Sequence, residues 1–210
     1  MLDEQHLRRV IANINPISLS GTAYRDIALR YLIKKIENLN TIDSSKALSA
    51  IGSFKRGGRY NLEKVFEVLY LSNNPVNALL EVEALRETAI GLQGVAKPPH
   101  LLLSVQYELE NVIDLTHSAT HQILGTSLVE LKAAWKNPNN DGINAPTQIL
   151  GKVLYELKNI EAIKVPSAYV DGAYNLNIFP DRLMDESFVQ VYDQKIDGQK
   201  IIDAQLPSPL

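Results

Sequence analysis

The chain has no cysteine among its 210 residues. That excludes a disulfide framework and any cysteine-ligated metal site, and it fits a reducing compartment. Long apolar runs are missing as well: nothing approaches the roughly 18 residues of a membrane span. The opening stretch, MLDEQHLRRVIANI, is charged and lacks the apolar core of a secretory signal. Charge is not in excess either way. A formal net charge of −3 removes the electrostatic argument for a nucleic-acid or membrane-surface partner. No internal repeat or low-complexity tract occurs. There is no Walker loop, no G-x-G-x-x-G, no G-x-S-x-G elbow and no H-E-x-x-H, so the familiar nucleotide, hydrolase and zinc signatures are absent. What remains is 45% hydrophobic and 21% charged, the balance of an ordinary globular chain of one-domain length, expected in the cytoplasm.

Hydrophobic spacing gives a coarse map. Leu7, Val10, Ile11 and Ile14 recur at helical intervals, and Asn15-Pro16 closes that segment. A short strand is predicted near Tyr24, followed by a helix to about Leu39 and a loop over 40–58. VFEVLYL at 65–71 is nearly all apolar and predicts a strand buried on both faces. Asn74 suits an N-cap and Pro75 a first helical turn, with the helix running to about Ala89. Leu101, Leu103, Val105 and Tyr107 alternate as in a strand. Ser127 and Glu130 stand at capping-box spacing. A further helix is predicted from Pro146 or Thr147, then strands in AIKVPSAYV, YNLNIFP and SFVQVYD. Strands and helices mix without a strict βαβ rhythm, which predicts an α+β single domain.

Within that plain framework Arg59, Tyr70 and Glu81 stand out, eleven positions apart. Glu81 lies on a helix whose neighbours Leu79, Leu80, Val82, Ala84 and Leu85 cover most directions; a buried carboxylate needs a partner or a cleft. Arg59 follows Gly57 and Gly58, where the backbone can approach a ligand closely, and a guanidinium grips phosphate with a fork of hydrogen bonds. Tyr70, at the end of a buried strand, is either a core tyrosine or an aromatic wall. Arg25, Ser167 and the pair His117 and His121 each have an ordinary explanation: a surface charge, a hydrogen-bonding filler and two surface histidines without a third ligand. Singly, structural explanations suffice; together the residues ask for another.

GGRYN, LYLS and ALLEVEAL, in that order, resemble the central signature of the RES domain family. Its arginine, glutamate and serine map onto Arg59, Glu81 and Ser167. PTQILG at 146–151, VPSA at 165–168 and NLNIFPDRL at 175–183 resemble the family's C-terminal blocks, and Tyr24-Arg25 its first arginine. The resemblance divides the chain into a helical segment at 1–21, the RES domain at 22–184 and a C-terminal extension packed on it at 185–210. Tyr60 replaces the tryptophan common after GGR, and the stretch between Arg25 and Arg59 is long.

The resemblance implies an ADP-ribosyltransferase-like fold of mixed sheets with flanking helices. It also implies an enzyme that degrades NAD+ with water or phosphate as acceptor, typically a bacterial toxin held inactive by an Xre-type helix-turn-helix antitoxin. NAD+ would be substrate rather than cofactor, with phosphate a possible co-substrate; a homo-oligomer is possible, and neither nucleic acid nor membrane is an expected partner. Arg25 and Arg59 would hold phosphates, Tyr70 would border the nicotinamide, and Glu81 would stabilise the oxocarbenium-like ribose. Ser167 would bond the ribose or carboxamide or orient Glu81, and Asn61 would add a substrate contact. Nicotinamide departs as a neutral molecule, so one carboxylate suffices where glycosidases use two. Two other functions share the site: an ADP-ribosyltransferase acting on a macromolecule, and a RES fold that only binds partners.

Overall fold

The computed structural model describes residues 1–36, 39–191 and 194–197. Its helices are α1 (Glu4–Val10), α2 (Ile51–Arg56), α3 (Pro75–Glu81), α4 (Ser118–Ile123), α5 (Leu128–Lys132), α6 (Lys136–Asn140) and α7 (Pro146–Glu156). Its strands are β1 (Ile17–Ala28), β2 (Ile33–Ile36), β3 (Leu39–Ile42), β4 (Leu69–Ser72), β5 (Leu85–Thr88), β6 (Gly91–Gly94), β7 (His100–Asp114), β8 (Ala162–Pro166), β9 (Tyr174–Ile178), β10 (Phe188–Val191) and β11 (Gln194–Asp197). Seven strands form one mixed sheet in the order β1-β4-β9-β8-β7-β10-β11, and β1 also pairs with β7, so the sheet curls back on itself. The long β7 makes this possible. One edge carries β1 over most of its length, while the other carries β10 near its middle and β8 at its end.

Leu69, Leu71, Leu103, Val105, Leu109, Ala162, Leu176 and Ile178 fill the inside of the curl. A second core lies outside it, where Ile113, Ile163, Val165 and Phe179 meet Leu7 and Ile11 of the N-terminal helical segment and Leu150, Val153 and Leu154 of α7. Phe66 stacks on Tyr155 at 4.3 Å, with Phe179 edge-on to both. The result is an α+β domain of mixed sheet with flanking helices. Among the described residues no helix is long and apolar enough to cross a membrane.

Several local expectations change. The helix expected after Tyr24 is instead the second half of β1, because Arg25–Ala28 pair with His100–Leu103 of β7; cross-strand bonding outweighs weak helical spacing. A β2–β3 hairpin follows. The predicted 40–58 loop contains α2. The predicted strand at 65–71 starts only at Leu69, since Asn61 Nδ2 takes the Phe66 carbonyl and Ser53 Oγ the Val68 amide. Side chains there do the work of a ladder.

α3 starts as expected, with Asn74 Oδ1 accepting from the Asn77 amide at 2.8 Å, but it ends at Glu81 rather than near Ala89. Glu83 adopts a left-handed conformation at φ 57°. Its amide bonds to Leu80 O, and that of Ala84 to Leu79 O. This is a Schellman cap built without the usual glycine, so no residue in the sequence announces it. β5 and β6 form an exposed hairpin after it.

The expected segment boundary at residue 21 falls inside β1, which runs from Ile17. Beyond 184, β10 pairs with β7, and residues 192–193 and 198–210 of the expected extension lie outside the described residues. His121 is buried at 8% exposure, its Nε2 2.7 Å from the Leu115 carbonyl. It is therefore not the surface histidine expected, and only His117 is exposed.

Candidate active site

α3, β1, β4 and the Gly57–Asn61 loop enclose a cleft of about 840 Å³, lined by Arg25, Arg59, Tyr70 and Glu81 among others. Four of the sequence-nominated residues thus share one cavity. Arg30, Lys55, Arg56 and Lys97 also line it, against Glu81 and Asp26 as the acidic groups. A chain of net negative charge has gathered cations at one place, which favours an anionic ligand.

Glu81 ends α3 half-buried. Asn175 Nδ2 donates to its Oε1 at 2.5 Å. Asn175 Oδ1 in turn accepts from Asn77 Nδ2 and from Ser72 Oγ, each at 2.7 Å. Asn77 Oδ1 accepts from Ser167 Oγ at 2.6 Å. Ser167 Oγ also accepts from the amides of Tyr169 and Val170, at 3.0 and 3.1 Å. A relay therefore runs Ser167–Asn77–Asn175–Glu81. Burial pushes the Glu81 carboxyl above the usual carboxylate range, against the opposing pull of the Asn175 hydrogen bond and the Arg59 charge. Ser167 itself is 0% exposed and lies outside the cleft lining, so it braces the carboxylate from behind.

The opposite wall is built from main chain. Gly57 takes φ +67°, and a Cβ at Gly58 would collide with the Tyr70 hydroxyl. Tyr70 Oη donates to Asn61 Oδ1 at 2.8 Å and accepts from the Tyr60 amide at 3.0 Å. Asn61, fully buried, gives its Nδ2 to Ser53 O and Phe66 O. It ties the loop together and lies outside the cleft lining, so the expected substrate contact from Asn61 is replaced by a bracing role. Tyr70 offers its ring rather than its hydroxyl, whose pKa burial raises far above the usual phenol value. From α7, Gln148 Nε2 donates to Gly58 O at 3.0 Å. Gly151 sits so close that a Cβ would overlap the Tyr60 carbonyl oxygen.

Arg59 projects from this loop. Its Nη1 donates to Leu131 O at 3.3 Å and to Ala133 O at the carboxyl end of α5, a favourable place for a cation. Nε and Nη2 have no hydrogen-bond partner among the described residues. Arg25 is more constrained: Nη1 donates to Ala47 O and Nη2 to Ser49 O, and burial lowers its pKa to about 10. It stays cationic at neutral pH, but its terminal nitrogens hold the loop before α2 instead of waiting for phosphate.

Sequence reasoning missed Asn77, Asn175 and Gln148, and the aromatic lining residues Trp135 and Tyr169. A usable signal existed for the amides. Asn175 and Asn77 interrupt segments that are otherwise apolar, where an unpaired amide is costly.

The RES domain family model matches residues 33–197. The chain belongs to the RES domain family. Arg59, Tyr70, Glu81 and Ser167 of this RES domain fall inside the match, whereas Arg25 precedes it. Its fold is similar to that in the crystal structure of the M. tuberculosis MbcT–MbcA toxin–antitoxin complex, with a TM-score of 0.56 at 20% identity over 94% of this chain and 93% of the other. No curated protein matches the chain.

Proposed function

We propose that this RES protein degrades NAD+ by cleaving the nicotinamide–ribose bond, with water or phosphate as acceptor, as the toxin of a toxin–antitoxin pair. The observation that carries the reading is Glu81: a half-buried carboxylate of raised pKa, held by the relay from Ser167, facing the same basic cleft as Arg59. A dinucleotide supplies the matching chemistry. Its two phosphates suit the cationic lining, with the free side of the Arg59 fork available to them. Its nicotinamide is planar and cationic, suited to the Tyr70 ring. When C1′–N breaks, the electron pair leaves with nicotinamide, and positive charge grows on the ribose beside Glu81. An aligned carboxylate stabilises that charge without reorganising.

The pairing with an antitoxin, of the Xre helix-turn-helix type, rests on the family and on the neighbour's description as a toxin–antitoxin complex. The decisive experiment follows nicotinamide release from NAD+ by the purified protein, with and without phosphate. Glu81→Gln is expected to lower kcat by about 10²–10³-fold at unchanged melting temperature. Wild-type release that Glu81→Gln retains would overturn the assignment. Transfer of labelled ADP-ribose to protein or nucleic acid in a cell extract would turn it to a transferase.

A further inference from the structure

Hydrolysis of NAD+ leaves one proton to place. Water attacks C1′, the C1′–N bond breaks with its electron pair going to nicotinamide, and the water loses H+. Glu81 is occupied with the developing cation and anchored by Asn175. A different group in the cleft is arranged to take that proton.

His100 opens β7, and Asp26 lies on the paired strand β1. The register sets Asp26 opposite Leu102 and Ala28 opposite His100, so the two side chains are diagonal neighbours on one face. His100 Nδ1 contacts Asp26 Oδ1. The Asp26 side chain is 1% exposed and that of His100 21%. Among the described residues Asp26 Oδ2 is buried with no hydrogen-bond partner, and His100 is the one side chain bonded to a carboxylate that is expensive to bury. Both residues line the cleft that holds Glu81 and Arg59. A carboxylate only accepts hydrogen bonds, so Nδ1 is the donor of this contact, and in the neutral tautomer that donates through Nδ1 the lone pair lies on Nε2. Nε2 has no partner among the described residues. A buried carboxylate behind a partly exposed imidazole, the far nitrogen left free, is the arrangement by which enzymes orient a general base. Neither residue supports Arg59, Tyr70 or Glu81 through any hydrogen bond described above.

We infer that His100, oriented by Asp26, is the general base that accepts the proton of the attacking water. The inference rests on the NAD+-degrading reading above and makes a prediction that reading does not. Water must lose a proton as it attacks. Hydrogen phosphate dianion attacks through an oxygen that is already anionic, and no base is needed. His100 therefore acts on hydrolysis and is nearly idle in phosphorolysis. Asp26 is a positioning residue that works through His100.

The test measures free ADP-ribose and ADP-ribose phosphate formed from NAD+ by the full chain, without and with phosphate. The variants are His100→Gln, His100→Ala and Asp26→Asn, with Glu81→Gln as reference. His100→Gln is expected to lower kcat for hydrolysis about 10²-fold, with KM for NAD+ shifted less than about threefold and phosphorolysis lowered less than about tenfold. Added imidazole should restore part of the hydrolysis to His100→Ala, and Asp26→Asn should show a smaller hydrolytic loss of the same kind. Equal loss with both acceptors, a loss confined to KM, or unchanged hydrolysis would each overturn the inference, as would a wild type that releases nicotinamide only with phosphate. Should His100→Ala and Asp26→Asn melt at assay temperature, the near-isosteric His100→Gln still decides. These outcomes leave the Glu81 assignment standing. Indifference to Glu81→Gln would remove that assignment and this inference with it.

Discussion

The two walls of the cleft are held in opposite ways. Glu81 is fixed by side chains: a serine and two asparagines, each buried or partly buried, hand a hydrogen bond from one to the next. Arg59 is fixed by backbone, through the glycine turn, the carbonyls at the end of α5 and the close approach of α7 to Tyr60. The difference teaches where each wall is vulnerable. A relay fails when one polar atom is deleted, because the partners left behind are buried without bonds. A main-chain wall tolerates polar changes and fails when volume is added, because close-packed backbone has nowhere to go.

The largest effect should come from adding one methyl group to the Arg59 wall. Gly151→Ala places a Cβ against the Tyr60 carbonyl, so α7 or the Gly57–Asn61 loop must move. We expect a loss of about 3 kcal/mol in urea unfolding, with a raised KM for NAD+. A variant as stable as wild type would show that the loop is not locked by α7.

The Glu81 wall should answer to a single atom. Ser167→Ala removes the Oγ that bonds Asn77 and the Tyr169 and Val170 amides. A cost of about 1–3 kcal/mol is expected, together with a lower kcat and little change in KM, since Ser167 is buried behind the cleft lining. A change confined to KM would instead place Ser167 against substrate and break the contrast between the walls.

The finest distinction lies in pH. The Glu81 carboxyl is raised by burial from its ordinary 4.5 and pulled back by Asn175 and Arg59. The ionised form is the active one, so in a His100→Gln background, where no imidazole titrates on the same limb, hydrolysis falls as pH drops through the raised pKa, and the acid limb should lie above 4.5. Asn175→Ala removes a group that favours the anion and should move the limb further up. An unshifted limb in that variant would deny the relay any hold on Glu81.

Glu81 stood out because a carboxylate is out of place in an apolar helix, while Arg59, Tyr70 and Ser167 were marked mainly by the short blocks around them that resemble the RES family. The bracing residues were less so. Arg25 reads as a phosphate ligand until its fork is seen on the Ala47 and Ser49 carbonyls. Asn61 reads as a substrate contact until it is found buried under Tyr70. Asp26 and His100 are 74 positions apart and give no local signal at all.

By itself the sequence determined the class of fold and the N-capped start of α3, and short blocks that resemble the RES family marked out Arg59, Tyr70, Glu81 and Ser167. The first two follow from local composition and spacing, which act over a few residues. The tertiary structure decided where α3 stops, which polar groups meet and which face the cleft. It also decided that Ser167 acts on Glu81 through two amides. Those outcomes depend on strand register and on burial, and both are set by contacts between residues far apart in the chain.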